Sequence, residues 1–141
     1  MMREQRYKAV AYLLLRLTVG LVFFFYGFNK LMGGLSGFAA GMTERMADTP
    51  LPGILITPFA YLLPFAELIV GTLLVLGLFT RGALVAAALL MAALTVGVVL
   101  EPSPPTVAAN VNYALVIFVL LWLSEFDGYS LDAMRQADRE R

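Results

Sequence analysis

Two charged residues stand well inside apolar stretches of this chain, Arg16 and Glu67. Glu67 lies near the middle of an apolar run, 54–79, that is long enough to cross a membrane. A carboxylate at that depth costs about 2.5–3.5 kcal/mol on insertion scales. Such a group persists where it pairs with a cation, lines a wet cavity or moves a proton, and Arg16 is the partner the sequence offers. In the first apolar run Arg16, Gly20, Phe23, Gly27 and Lys30 share one helical arc. In the second, Ala60, Pro64, Glu67, Gly71, Leu74 and Leu78 do the same, and in the third Ala83, Ala86, Ala93 and Gly97 lead to Glu101. Small residues on such arcs let membrane helices approach closely, so the charged faces are also the packing faces. At roughly 1.5 Å rise per residue, Arg16 sits about 10 Å and Glu67 about 18 Å from the same end. An Arg16–Glu67 bridge, direct or through a water or ligand, is therefore expected. The alternatives are an Arg16 that snorkels to the nearer interface, a bridge that only sets helix register, and two residues that never meet.

The elements that must position these groups follow from hydropathy. The chain has 141 residues, 60% hydrophobic and 14% charged, against about 25% charged in a soluble domain. Four apolar segments, 9–28, 54–79, 83–100 and 107–123, read as transmembrane helices because lipid leaves the backbone no other partners. The expected fold is all-α: an integral membrane four-helix up-down bundle in one domain, 1–141, with a tail at 124–141. The first segment exceeds a signal-peptide core and reads as retained. Thr80-Arg81-Gly82 is expected as the turn between the second and third helices, and Glu101-Pro102-Ser103-Pro104-Pro105 as the break before the fourth. Pro58 and Pro64 are expected to loosen the outer half of the second helix. In the long first loop Phe38, Met42 and Met46 share a face. They allow a short interfacial helix, with a plain loop as the equal alternative.

Arg3, Arg6, Lys8, Arg81, Arg135, Arg139 and Arg141 fall on one side of this topology, and only Lys30 and Arg45 on the other. The positive-inside rule then puts both termini in the cytoplasm and the first loop in the periplasm of a bacterial inner membrane. Asn29, Lys30, Glu101, Asn110, Asn112 and Tyr113 are expected together at the outer mouth, most simply as a solvated rim. Tyr26, Tyr61 and Trp122 read as belt or packing aromatics. Neither Cys nor His is present, which excludes disulfides, thiolate chemistry and imidazole-bound metal or haem. Zero net charge gives no field for nucleic acid.

Three motifs in order resemble the DoxX family of small membrane proteins: Arg16-x3-Gly20-x6-Gly27-x2-Lys30, Pro64-x2-Glu67-x3-Gly71-x5-Gly77-x3-Arg81, and Asp127-Gly128-Tyr129-Ser130-Leu131-Asp132. The resemblance implies a four-helix inner-membrane protein serving a quinone-linked redox or oxidative-stress complex, as the related DoxD subunit does in thiosulfate:quinone oxidoreductase. On that reading a quinone enters near Pro58–Pro64 and stacks on Phe23, Phe24 or Tyr61, with Lys30 near by. Arg16 and Glu67 are then the catalytic pair, Arg16 stabilising a quinone oxygen and Glu67 carrying the proton. The chain holds no electron carrier, so a redox partner protein is needed, beside the lipid bilayer itself; a homo-oligomer is left open.

Two other classes compete. Small multidrug-resistance pumps also have four helices and one membrane carboxylate, although theirs is in the first helix; here a proton-coupled transporter would favour an anionic substrate. A non-catalytic scaffold would instead recruit proteins through the mixed-charge tail, where residues from Ser130 onward read as a short exposed helix.

Overall fold

The computed structural model describes residues 2–101 and 104–139. Its elements are all helical: α1 (Met2–Met32), α2 (Leu35–Arg45), α3 (Gly53–Leu76), α4 (Thr80–Leu100), α5 (Pro104–Trp122), a 3-10 turn (Ser124–Phe126) and α6 (Leu131–Arg139). Four of them, α1, α3, α4 and α5, are long and apolar enough to cross a membrane. The result is the expected up-down bundle, and the protein is a multi-pass membrane protein. Three threonine hydroxyls inside the spans are satisfied locally: Thr18, Thr72 and Thr95 donate to carbonyls four residues back at 2.6–2.8 Å.

Glycines fix how α1 meets α3. A Cβ on Gly27 would lie 2.5 Å from the Pro64 carbonyl and 2.6 Å from the Leu68 amide. A Cβ on Gly71 would run into the Phe24 backbone and come within 2.8 Å of the Gly20 carbonyl. The two helices therefore touch backbone to backbone, antiparallel, along the arcs that carry the charges. Tyr12, Val19 and Phe23 of α1 join Val70 and Leu74 of α3, Leu84 of α4, and Ile117 and Leu120 of α5 in the larger core.

α1 spans about 46 Å, more than the roughly 30 Å of hydrocarbon. Its first two turns carry the exposed Glu4–Lys8 pair at 3.0 Å, with the Lys8 ammonium 5.5 Å from the Phe126 ring centroid. At the other end α1 stops against the middle of α3, and the chain turns at Gly34, whose φ is 102°. α2 then covers the first half of α3, with Ala39, Met42 and Met46 buried against Ile56, Ala60 and Leu63. The short helix allowed in the first loop thus exists. Its apolar face is turned onto α3, with Phe38 packed beside it.

Two local expectations are corrected. The turn between the second and third spans is Gly77–Phe79, not Thr80–Gly82: Gly77 (φ 68°) and Phe79 (φ 48°) take left-handed conformations, and Thr80 already begins α4. α3 is one continuous helix through Pro58 and Pro64. Its seam with α1 at Pro64 and the cover given by α2 leave no loosened outer half. Of the expected break before the fourth helix, Pro102 and Ser103 lie outside the described residues, as do Met1, Glu140 and Arg141. Pro104 and Pro105 occupy the first turn of α5, where a missing N–H is harmless.

Candidate functional site

Lys30 is the partner of Glu67. Its ammonium lies 2.6 Å from both carboxylate oxygens, with the Glu67 side chain 3% exposed and that of Lys30 24%. Fourteen residues of α1 separate Lys30 from Arg16, about 21 Å along the axis, so the Arg16–Glu67 bridge does not form. Nor does Lys30 sit on an outer rim. Because α1 ends against the middle of α3, the pair lies about 14 Å from the C-terminal end of α3 and about 21 Å from its N-terminal end. The ammonium also faces the rings of Phe38 and Tyr26, at 5.2 and 5.8 Å from their centroids.

Beside the pair a cavity of about 600 Å³ opens between α2, α3 and α4. Lys30 supplies its inner charge, and Phe59, Leu63, Leu94 and Met46 supply apolar walls. On its outer side Arg45 and Glu101 form a more exposed pair at 3.8 Å. Of the expected cofactor residues, only Lys30 lines this space. Phe23 is buried in the core between spans, Phe24 stacks on Phe28 with centroids 6.0 Å apart, and Tyr61 is 41% exposed on the outer surface. Glu101 reaches the cavity, while Asn29, Asn110, Asn112 and Tyr113 do not. Among the described residues, no three metal-ligating side chains are grouped.

Arg16 belongs to a second arrangement, at the end of the bundle that carries both termini. It is 1% exposed and does not snorkel. Its Nη2 donates to the Tyr129 carbonyl at 2.7 Å, and its Nε lies 4.0 Å from Asp127. Gly77 is needed twice here, for its left-handed turn and because any Cβ would run into Arg16 Nη1. The tail closes over this turn: the Asp132 amide donates to the Gly77 carbonyl at 3.1 Å, and the Asp132 carboxylate accepts from the Thr80 amide at 2.9 Å. Ser130 Oγ accepts the Ala133 amide at 3.1 Å and so starts α6. The stretch from Asp127 to Asp132 is therefore a clasp that ties the tail to the α3–α4 turn. Sequence reasoning missed it because the arginine's partner is a backbone carbonyl 113 positions away. The legible signals were Gly77 and the Ser-Leu-Asp helix start.

Fold and site together define a multi-pass helical membrane protein in which a buried ion pair faces a lipophilic cavity. The family profile described as methylamine utilisation protein MauE matches residues 8–103, and the chain belongs to that family. No curated protein and no solved structure matches it. The resemblance to DoxX is thereby corrected, since the matching family is a different one. Of the glycines that carried it, Gly20, Gly27 and Gly71 answer to the α1–α3 seam, a demand common to closely packed membrane helices, and Gly77 to the turn beneath Arg16.

Proposed function

We propose that this protein holds a lipophilic molecule with a carbonyl-bearing head, of which a quinone is the type, inside the membrane for a partner protein that exchanges electrons with it. The observation that carries this reading is the Lys30–Glu67 pair: a mid-span carboxylate neutralised by an ammonium that also faces a 600 Å³ apolar cavity. Apolar walls suit a ring and tail, and an ammonium suits a carbonyl oxygen. Lys30 has three N–H donors and commits two directions to Glu67, which leaves one for a ligand. Glu67 holds Lys30 in place and can exchange a proton with it. A bound quinone would supply two-electron, two-proton chemistry. The chain itself offers neither Cys nor His as a carrier, hence the partner. Arg16, committed to the clasp, has a positioning role far from the cavity.

The family description supports a task in methylamine utilisation. The basic residues at the terminal end support an inner-membrane orientation with both termini in the cytoplasm. The test is native mass spectrometry of protein released from nanodiscs loaded with a quinone. Wild type and Arg16→Met should retain the quinone, whereas Lys30→Met and Glu67→Gln should lose it. Absence of retention by wild type, or equal loss in Arg16→Met, would overturn the assignment.

A further inference from the structure

A second cavity, of about 510 Å³, lies at the terminal end between the α3–α4 turn, the segment after α5 and the start of α6. We infer that it is a binding site for the phosphate head group of an anionic phospholipid. Its walls carry three arginines, Arg81, Arg135 and Arg139, and two carboxylates, Asp127 and Asp132. The carboxylates are answered from behind, Asp132 by the Thr80 amide and Asp127 by the buried charge of Arg16 at 4.0 Å. None of the three arginines forms an ion pair among the described residues, so the cavity presents uncompensated positive charge. Thr80 Oγ1 in its wall and Arg16 Nη1 behind it also lack hydrogen-bond partners. These two residues, Arg16 and Thr80, are 1% and 2% exposed.

Rigidity and location favour a lipid as the source of the phosphate. The clasp ties the first turn of α6 to the α3–α4 turn through Asp132, and the four-residue spacing of Arg135 and Arg139 puts both guanidiniums on one helix face. Leu131 and Met134 are exposed on α6, and Phe79, at 68% exposure, flanks the cavity. The site therefore sits at the ends of the spans, where head groups lie, with apolar residues beside it for acyl chains.

The test is titration of the detergent-purified protein with short-chain phosphatidylglycerol, phosphatidylcholine or inorganic phosphate, read by native mass spectrometry. Phosphatidylglycerol should bind, and binding should fall about 30-fold in Arg135→Gln/Arg139→Gln, from the electrostatic worth of two arginines at an anionic surface. Both substitutions are on an exposed helix, and an unchanged circular dichroism spectrum would show that the variant folds. Unchanged binding by the double variant, or equal binding of both lipids without binding of inorganic phosphate, would overturn the site. Saturable binding of inorganic phosphate, lost in the variant, with no preference between lipids would overturn the lipid assignment.

Discussion

Replacing Lys30 with methionine keeps the apolar stem and removes only the ammonium. Glu67, 3% exposed and held by two 2.6 Å contacts, is then a lone carboxylate at mid-span. Breaking a buried pair from one side costs about 3–5 kcal/mol. The 24% exposure of Lys30 leaves water some access, so the lower end, about 3 kcal/mol, is expected. Glu67→Gln should cost less, about 1–2 kcal/mol, because the stranded lysine can reach that water. The double substitution Lys30→Met/Glu67→Gln removes both charges, and its stability should return to within about 1 kcal/mol of wild type. Reversible unfolding in mixed micelles, titrated with a denaturing detergent, measures all four proteins. The reasoning fails if Lys30→Met is no worse than Glu67→Gln, or if the double variant is the least stable of the set.

Gly71→Ala should destabilise by about 1–3 kcal/mol through its collision with the Phe24 backbone. Gly82→Ala, with open space around it, should be neutral or stabilising in the same assay. Asp132→Ala removes the carboxylate that accepts the Thr80 amide. It should raise hydrogen exchange in the first turn of α4 at a cost of about 1–2 kcal/mol. Arg16→Met frees the Tyr129 carbonyl and should speed tryptic cleavage at Arg135 and Arg139 several-fold through local opening of the clasp, with little change elsewhere in the digest.

The spans were legible because lipid admits one solution for a long apolar segment, and the α1–α3 seam was legible because Gly20, Gly27 and Gly71 repeat at helical spacing. The partner of Glu67 was not. Lys30 shared the arc of the first span, but hydropathy ended that span at residue 28 and left Lys30 to the rim, whereas α1 runs on to Met32 and stops at mid-height, with α2 taking over its place. Where one helix ends against another depends on tertiary packing that no local pattern records. The role of Arg16 was hidden for a related reason. Side-chain charges advertise partners of opposite sign, and its closest partner is a main-chain oxygen of the tail.

The central claim is a ligand beside Lys30, and tryptophan quenching tests it most directly. Trp122, the single tryptophan, is 73% exposed on the outer surface, while Phe59 lines the cavity. A short-chain quinone should quench Phe59→Trp, built on Trp122→Phe, along a saturating curve that Lys30→Met abolishes. It should quench native Trp122 only in proportion to its concentration in the membrane. Linear quenching of equal slope at both positions would contradict the account.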